Sequence, residues 1–289
     1  MRDVVIVPCY ERPEYTCLCL QYLSRARGIR DKEVWLCQDN HENGLIVDPN
    51  NAPKDFAEVA LYLGMTFGSR AVYRSIAPHS TYGNSKNLVD GLKAAYESGA
   101  ERIFLVEDDI IVAPDIFEWH EAVLEEKDVF VSCATALNKS AHFQVNGPNA
   151  MDPSDDSAAY KTVQGAYSSH AVAFKRKNLD QLLSYVMSFS KWESGFEQDM
   201  LTQRFMRIVH KASAWPYVPR AYNVGVYSYH INTGRKLTGT LEEKTRALDQ
   251  IIHDPDKLRD MSTNNGAVTP IPAEWPVRTG PVKNVQRFR

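Results

Sequence analysis

Residues Ile103 to Trp119 read IFLVEDDIIVAPDIFEW, four apolar side chains running directly into three carboxylates, Glu107, Asp108 and Asp109. A run that short and that continuous is no amphipathic helix; it fits a strand buried on both faces, as in a parallel sheet. Side chains past the carboxyl end of such a strand project into the crevice where open α/β sheets bind ligands. Adjacent anions repel one another, so a fold that keeps three together supplies a cation or a set of donors. The competing reading is a solvated acidic turn before a helix that starts near Pro114.

The chain on either side supports a sheet. Val4 to Val7 is a β-branched run stopped by Pro8, and Pro13 suits the first turn of a helix. Tyr15, Leu18, Cys19, Tyr22, Leu23 and Ala26 recur at helical spacing, with Gly28 placed as the stop. Glu33 to Cys37 reads as a second strand running into Gln38, Asp39 and Asn40. Phe56, Val59, Ala60 and Leu63 mark a helix with Asp55 as its cap and Gly64 as its end. A strand at Ala71 to Ser75 and a helix from Ser85 to Ser98, closed by Gly99, lead into the acidic strand. Strands alternating with helices over the first 110 or so residues predict a mostly parallel, doubly wound α/β sheet with helices on both faces.

The second half is less regular. Val129 to Ala134 reads as a strand, and the polar stretch from Ser140 to Lys161 as a long loop of the kind that is functional or mobile. Helices are expected over Leu179 to Met187, Glu197 to Val209 and Leu241 to Ile252, with extended chain from Ala221 to Tyr229. Between them NTGRKLTGT, Asn232 to Thr240, has the glycines and cations of a lid over phosphate. From Thr263 the chain is rich in Pro, ends basic and shows no periodicity.

Composition narrows the class. With 289 residues, 44% hydrophobic and 24% charged, the chain suits a globular protein of one large or two small domains. A formal charge of −3 argues against a surface built wholly for polyanions, while leaving room for a local basic patch. No apolar run approaches the ~20 residues that span a bilayer, so the expectation is a soluble, cytoplasmic protein with no membrane partner. The five cysteines, Cys9, Cys17, Cys19, Cys37 and Cys133, lack CxxC spacing and read as free buried thiols.

Three separated segments carry a resemblance. CQDNHENG (Cys37 to Gly44), VEDDIIVAPDIFEW (Val106 to Trp119) and FEQDM (Phe196 to Met200) resemble, in order and approximate spacing, segments of the N-acetylglucosaminyltransferase I family, inverting enzymes of the GT-A fold that use a nucleotide sugar. More distantly, VVIVPCYERPE looks like glycosyltransferase family two. The resemblance covers roughly Val4 to Tyr229 and implies a single catalytic domain over residues 1–262, with a nucleotide-sugar half at 1–112, a smaller, irregular acceptor-side half at 113–262, and an extended tail at 263–289. Members in animals and plants carry a membrane anchor, and the Ser140 to Gly165 region matches them poorly.

The resemblance also implies roles. Asp109 would bind Mn²⁺ or Mg²⁺, a hard cation that stabilises charge on the leaving nucleoside diphosphate. Glu107 and Asp108 would accept hydrogen bonds from donor hydroxyls, and Asp39 would hold the uracil imide. Pro8, Tyr10 and Arg12 lie where base and diphosphate belong, Arg12 suiting phosphate through its forked donors. YGNSKN opens a helix near the donor at Asn84, where its backbone N–H groups and Lys86 would face anionic oxygens, unless Asn84 or Ser85 serves only to cap the helix. Asp199 would be the catalytic base with Glu197 as competitor, although a helix N-terminus stabilises the anion and weakens the base. His230 is a further candidate contact to metal or phosphate.

The leading reading is therefore an inverting, metal-dependent transferase moving a sugar from a UDP-sugar to a hydroxyl of a glycan, protein or small molecule. A hydroxymethylated base in DNA, the acceptor of some phage-encoded enzymes acting in the host cytoplasm, is the alternative that Arg235, Lys236 and the basic tail favour. A nucleotidyltransferase, which normally opens on a glycine-rich loop, and a non-catalytic sugar-nucleotide-binding module complete the set.

Overall fold

A computed structural model describes residues 2–9, 12–39, 52–75, 83–135, 159–189, 198–224, 237–254 and 286–288. The first half alternates as its pattern predicts: β1 (Asp3–Cys9), α1 (Pro13–Arg25), β2 (Lys32–Gln38), α2 (Ala52–Phe67), β3 (Ala71–Ser75), α3 (Gly83–Glu97) and β4 (Arg102–Val106). There follow β5 (Ile110–Val112), α4 (Ile116–Leu124), β6 (Val129–Cys133), β7 (Ala159–Gln164), β8 (Ala171–Lys175), α5 (Arg176–Ser188), α6 (Gln198–Ile208), β9 (Ala212–Pro216), β10 (Ala221–Asn223), α7 (Leu241–Ile252) and β11 (Gln286–Phe288).

Nine strands form one sheet in the order β11-β7-β9-β6-β8-β4-β1-β2-β3, and β10 pairs with β5 in a small second sheet. From β4 to β3 every pairing is parallel. Antiparallel β8 then lies between β4 and β6, and antiparallel pairing returns between β9 and β7. The sheet is thus mixed and largely parallel, with helices packed on both faces.

Alternation explains the continuous apolar runs. Val5 and Val7 of β1 and Phe104 and Val106 of β4 face one layer, with α1, α2 and α4 packed over them. Val4 and Ile6, with Ile103 and Leu105, face the other, beneath α3, α5 and α6. Gly91 lets α3 approach closely: a Cβ there would stand 3.0 Å from Cγ2 of Ile6. A third apolar cluster joins Tyr15 and Leu18 of α1 to Ile111, Tyr222, Leu248 and Ile252, and so fastens α7 to the small sheet. All five cysteines are buried and free.

Two expectations about α2 need correction. Its helix starts at Ala52, so Asp55 lies inside the first turn and is no cap, and it runs through Gly64 to Phe67. An isolated helical glycine costs only about 1 kcal/mol, which the burial of Val59, Leu63 and Phe67 outweighs. The chain turns instead at Gly68, whose φ is 58°. Strands β5, β7, β8, β9 and β11 were not evident from periodicity; β7 begins within the stretch expected to be a loop as far as Lys161, and β11 falls in the Pro-rich tail and pairs with β7.

At the amino-terminal edge of the sheet Lys32 is 3% exposed. Its Nζ donates to Glu121 at 2.8 Å and to the Gly28 carbonyl at 3.3 Å, lies 3.6 Å from Asp3, and stands 4.9 Å from the ring of Phe117. Removing one member of a buried ionic network leaves the others uncompensated, typically at a cost of about 3 kcal/mol. Lys32→Ala is accordingly expected to lower the urea midpoint by that equivalent at unchanged slope. A midpoint within about 0.5 kcal/mol of wild type would show that the network contributes little.

Candidate active site

The site forms where β1, β2 and β4 end. Beyond β4 the chain makes a tight turn, the Ile110 N–H donating to the Glu107 carbonyl at 3.1 Å, before β5 carries it away. That turn holds all three acids against the sheet edge: Asp108 is 3% and Asp109 7% exposed. Helix α1 passes close by, with the Cys19 thiol 3.6 Å from the Glu107 carbonyl. The Asp109 carbonyl accepts from Val224 N–H at 2.8 Å, which ties the turn to the end of β10.

Arg12 reaches this turn from the start of α1. Its Nη1 donates to Oδ2 of Asp109 at 2.9 Å and its Nη2 to Oδ1 of Asp108 at 2.5 Å. Burial works against the guanidinium charge, but the two aspartates more than offset it and push the pKa of Arg12 up. Oδ1 of Asp109 is buried and has no hydrogen-bond partner among the described residues.

Because β8 runs antiparallel to β4, with Val106 opposite Ala171, the residues before β8 arrive at the same edge as those after β4. Ser169 donates its hydroxyl to Oε1 of Glu107, and the His170 carbonyl accepts the Glu107 N–H at 3.0 Å. His170 Nε2 lies 3.4 Å from the Asn223 amide nitrogen, and burial pushes the imidazole pKa down against the opposing pull of Asp109.

Helix α6 brings in the last acid. The Gln198 N–H donates to Oγ of Ser85 at 3.1 Å, fastening the start of α6 to the start of α3. Gln198 also reaches the Tyr167 hydroxyl and Thr202 Oγ1 at 3.1 and 3.0 Å. Asp199, in the first turn, is near enough to raise the pKa of Glu107. Burial is the chief cause of that rise, to about 8, with Asp109, Asp199 and Asp108 adding to it and the Ser169 hydroxyl opposing it.

The sign of this shift gives a pH dependence. A carboxyl whose folded pKa is raised contributes stability that is whole below its unfolded value, 4.5, and is lost as pH rises through about 8. In the metal-free protein the Glu107 contribution should fall away over that window, and Glu107→Gln, neutral throughout, should flatten the fall in melting temperature. An unchanged pH profile in the variant would rule the protonated carboxyl out.

The other candidates fall as follows. Asp39 lies just past β2, 5% exposed, its N–H donating to the Cys9 carbonyl at 3.0 Å. Pro8 is buried within β1. Asn84 stands in the first turn of α3. Lys86 pairs with Asp90 on its own helix at 2.5 Å, so its charge lies along the helix flank. Tyr10, Glu197 and His230 lie outside the described residues, as does most of NTGRKLTGT. Ser169 and His170 were missed, although YSSH before the apolar AVAF mirrors LV before EDD; reading it required knowing that β8 runs antiparallel.

Among the described residues no group of three or more His, Cys, Asp or Glu side chains is arranged to hold a metal ion, and no helix is long and apolar enough to cross a membrane.

No protein-family model matches the sequence, and no curated protein matches it. Solved structures do match in shape. S. aureus TarS 1-349 is 14% identical, with 80% of this chain and 62% of that one covered at a TM-score of 0.50. TarS 1-349 in complex with UDP-GlcNAc is 16% identical, with 77% and 58% covered and the same TM-score. The mannosyltransferase PcManGT from Pyrobaculum calidifontis, in complex with GDP-Man and Mn²⁺, is 17% identical over 80% and 60%, at 0.47. This chain therefore spans about three-fifths of the length of the structures it matches. At these identities the likeness is one of fold, and with the sheet described above it shows a mixed α/β, GT-A-like architecture.

Proposed function

We propose that this chain is a glycosyltransferase that moves a sugar from a UDP-sugar to an acceptor hydroxyl with inversion, using a divalent cation held by Asp109. The observation that carries the reading is the gathering of Glu107, Asp108, Asp109 and Asp199 at the carboxyl edge of the sheet, with a buried Asp109 oxygen left unpartnered. A lone buried carboxylate oxygen is the kind of ligand that a hard divalent cation takes, and Asp109 would hold one there. Such a cation, when bound, offsets the charge that builds on the leaving diphosphate. TarS 1-349 in complex with UDP-GlcNAc has the same fold, and the acidic strand is also what carries the resemblance to N-acetylglucosaminyltransferase I.

The residues divide the work. Asp39, beside the end of β1, receives the uracil imide. Glu107, held through Oε1 by the Ser169 hydroxyl, accepts a hydrogen bond from a sugar hydroxyl. Asp199 takes the proton from the acceptor hydroxyl as that oxygen attacks the anomeric carbon from the face opposite the diphosphate. Its position at a helix N-terminus favours the anion, so much of its effect comes from placement against the reacting oxygen.

The test is UDP release from a panel of UDP-sugars with Mn²⁺ or Mg²⁺, with glycan, protein, small-molecule and hydroxymethylated-DNA acceptors in separate arms. Metal-dependent release establishes the donor half, and the arm that stimulates it identifies the acceptor. Calorimetric UDP-sugar binding without release in any arm would make the chain a binding module. Neither binding nor release would end the reading.

A further inference from the structure

Arg12 has a second consequence for this site. It bridges carboxylates 96 and 97 residues away along the chain, and its Cζ lies 5.6 Å from the centroid of the Tyr15 ring, so the guanidinium is held by two acids and an aromatic face. Its side chain is 22% exposed whereas those of Asp108 and Asp109 are 4% and 9%. The site thus contains a counter-cation of its own, and that cation sits on the carboxylate whose Oδ1 has no hydrogen-bond partner among the described residues.

A divalent ion approaching Oδ1 of Asp109 meets a permanent positive charge 2.9 Å from Oδ2 of the same group. The two cations compete for one carboxylate, and partial burial keeps solvent from screening their repulsion. An anionic diphosphate changes the balance, because the guanidinium fork matches phosphate as well as carboxylate, so Arg12 has a second anionic partner to move to when a divalent ion takes Asp109. We propose that Arg12 is a latch: it guards Asp109 against divalent cations in the free protein and transfers its fork to the diphosphate when the donor enters. The cation and nucleotide that it links are those of the function proposed above.

The latch makes cation and nucleotide binding cooperative, and the linkage is reciprocal. A bridging ion would give cooperativity by itself, so the decisive quantity is the affinity for the ion alone. Mn²⁺ binding is measured by electron paramagnetic resonance, with and without UDP, for wild type, Arg12→Gln and Arg12→Lys, all checked by thermal melting. Arg12→Gln is expected to bind Mn²⁺ alone about tenfold more tightly than wild type and to bind UDP alone more weakly, so that the enhancement of Mn²⁺ binding by UDP shrinks. Arg12→Lys, which keeps the charge and loses the fork, should fall between and covers the case in which Arg12→Gln does not fold. Equal Mn²⁺-alone affinities, in variants that melt like wild type and still bind Mn²⁺ with UDP, would overturn the latch and leave the proposed function standing. No Mn²⁺ binding by any form, even with UDP, would overturn both.

Discussion

Asp109→Asn is expected to lower metal-dependent UDP release by about three orders of magnitude, because in the proposed chemistry this one carboxylate holds the cation that would offset charge on the leaving diphosphate. The substitution is isosteric, and Asp108 keeps its bond from Arg12, so the fold should tolerate it. Turnover and Mn²⁺ affinity should fall together. Turnover that survives with wild-type metal affinity would move the cation to another residue and remove the main support for the proposed chemistry.

Asp199→Asn is expected to reduce turnover by about 10²- to 10⁴-fold, the usual contribution of a positioned general base, while UDP-sugar affinity stays near wild type. That split distinguishes a base from a group that merely shapes the pocket. It also distinguishes Asp199 from Glu107, whose replacement should change donor affinity as well. The start of α6 is held to α3 through Ser85 and Gln198, which leaves little room for another side chain to take over by shifting. If Asp199→Asn turns over normally while Glu197→Gln does not, the base is Glu197.

The sequence shows the sheet more readily than the site. Its first half is legible because β1, β2 and β4 are buried on both faces, so the period changes cleanly from IFLV to the helical spacing of α1 and α3. The second half hides its strands for physical reasons. β5 is three residues long, β9 is short and ends on Pro216, and β8 follows directly on the polar YSSH. Asp108 and Asp109 stand out as neighbours in sequence, whereas the partners that set their chemistry do not. Arg12 reads as a phosphate ligand, and only the fold reveals its two aspartate partners. Ser169 and His170 look like loop residues until an antiparallel strand delivers them to Glu107. Their pairing is a matter of strand direction, which local pattern does not encode.

The position of β8 also bears on how the chain is made. It pairs with both β4 and β6, yet leaves the ribosome after them. Until residues 171–175 emerge, both neighbours present bare strand edges, a state prone to intermolecular pairing. Ser169 and His170 arrive with that same insertion. The joining of β4 to β6 and the delivery of Ser169 and His170 to the acid-rich turn are thus one long-range event.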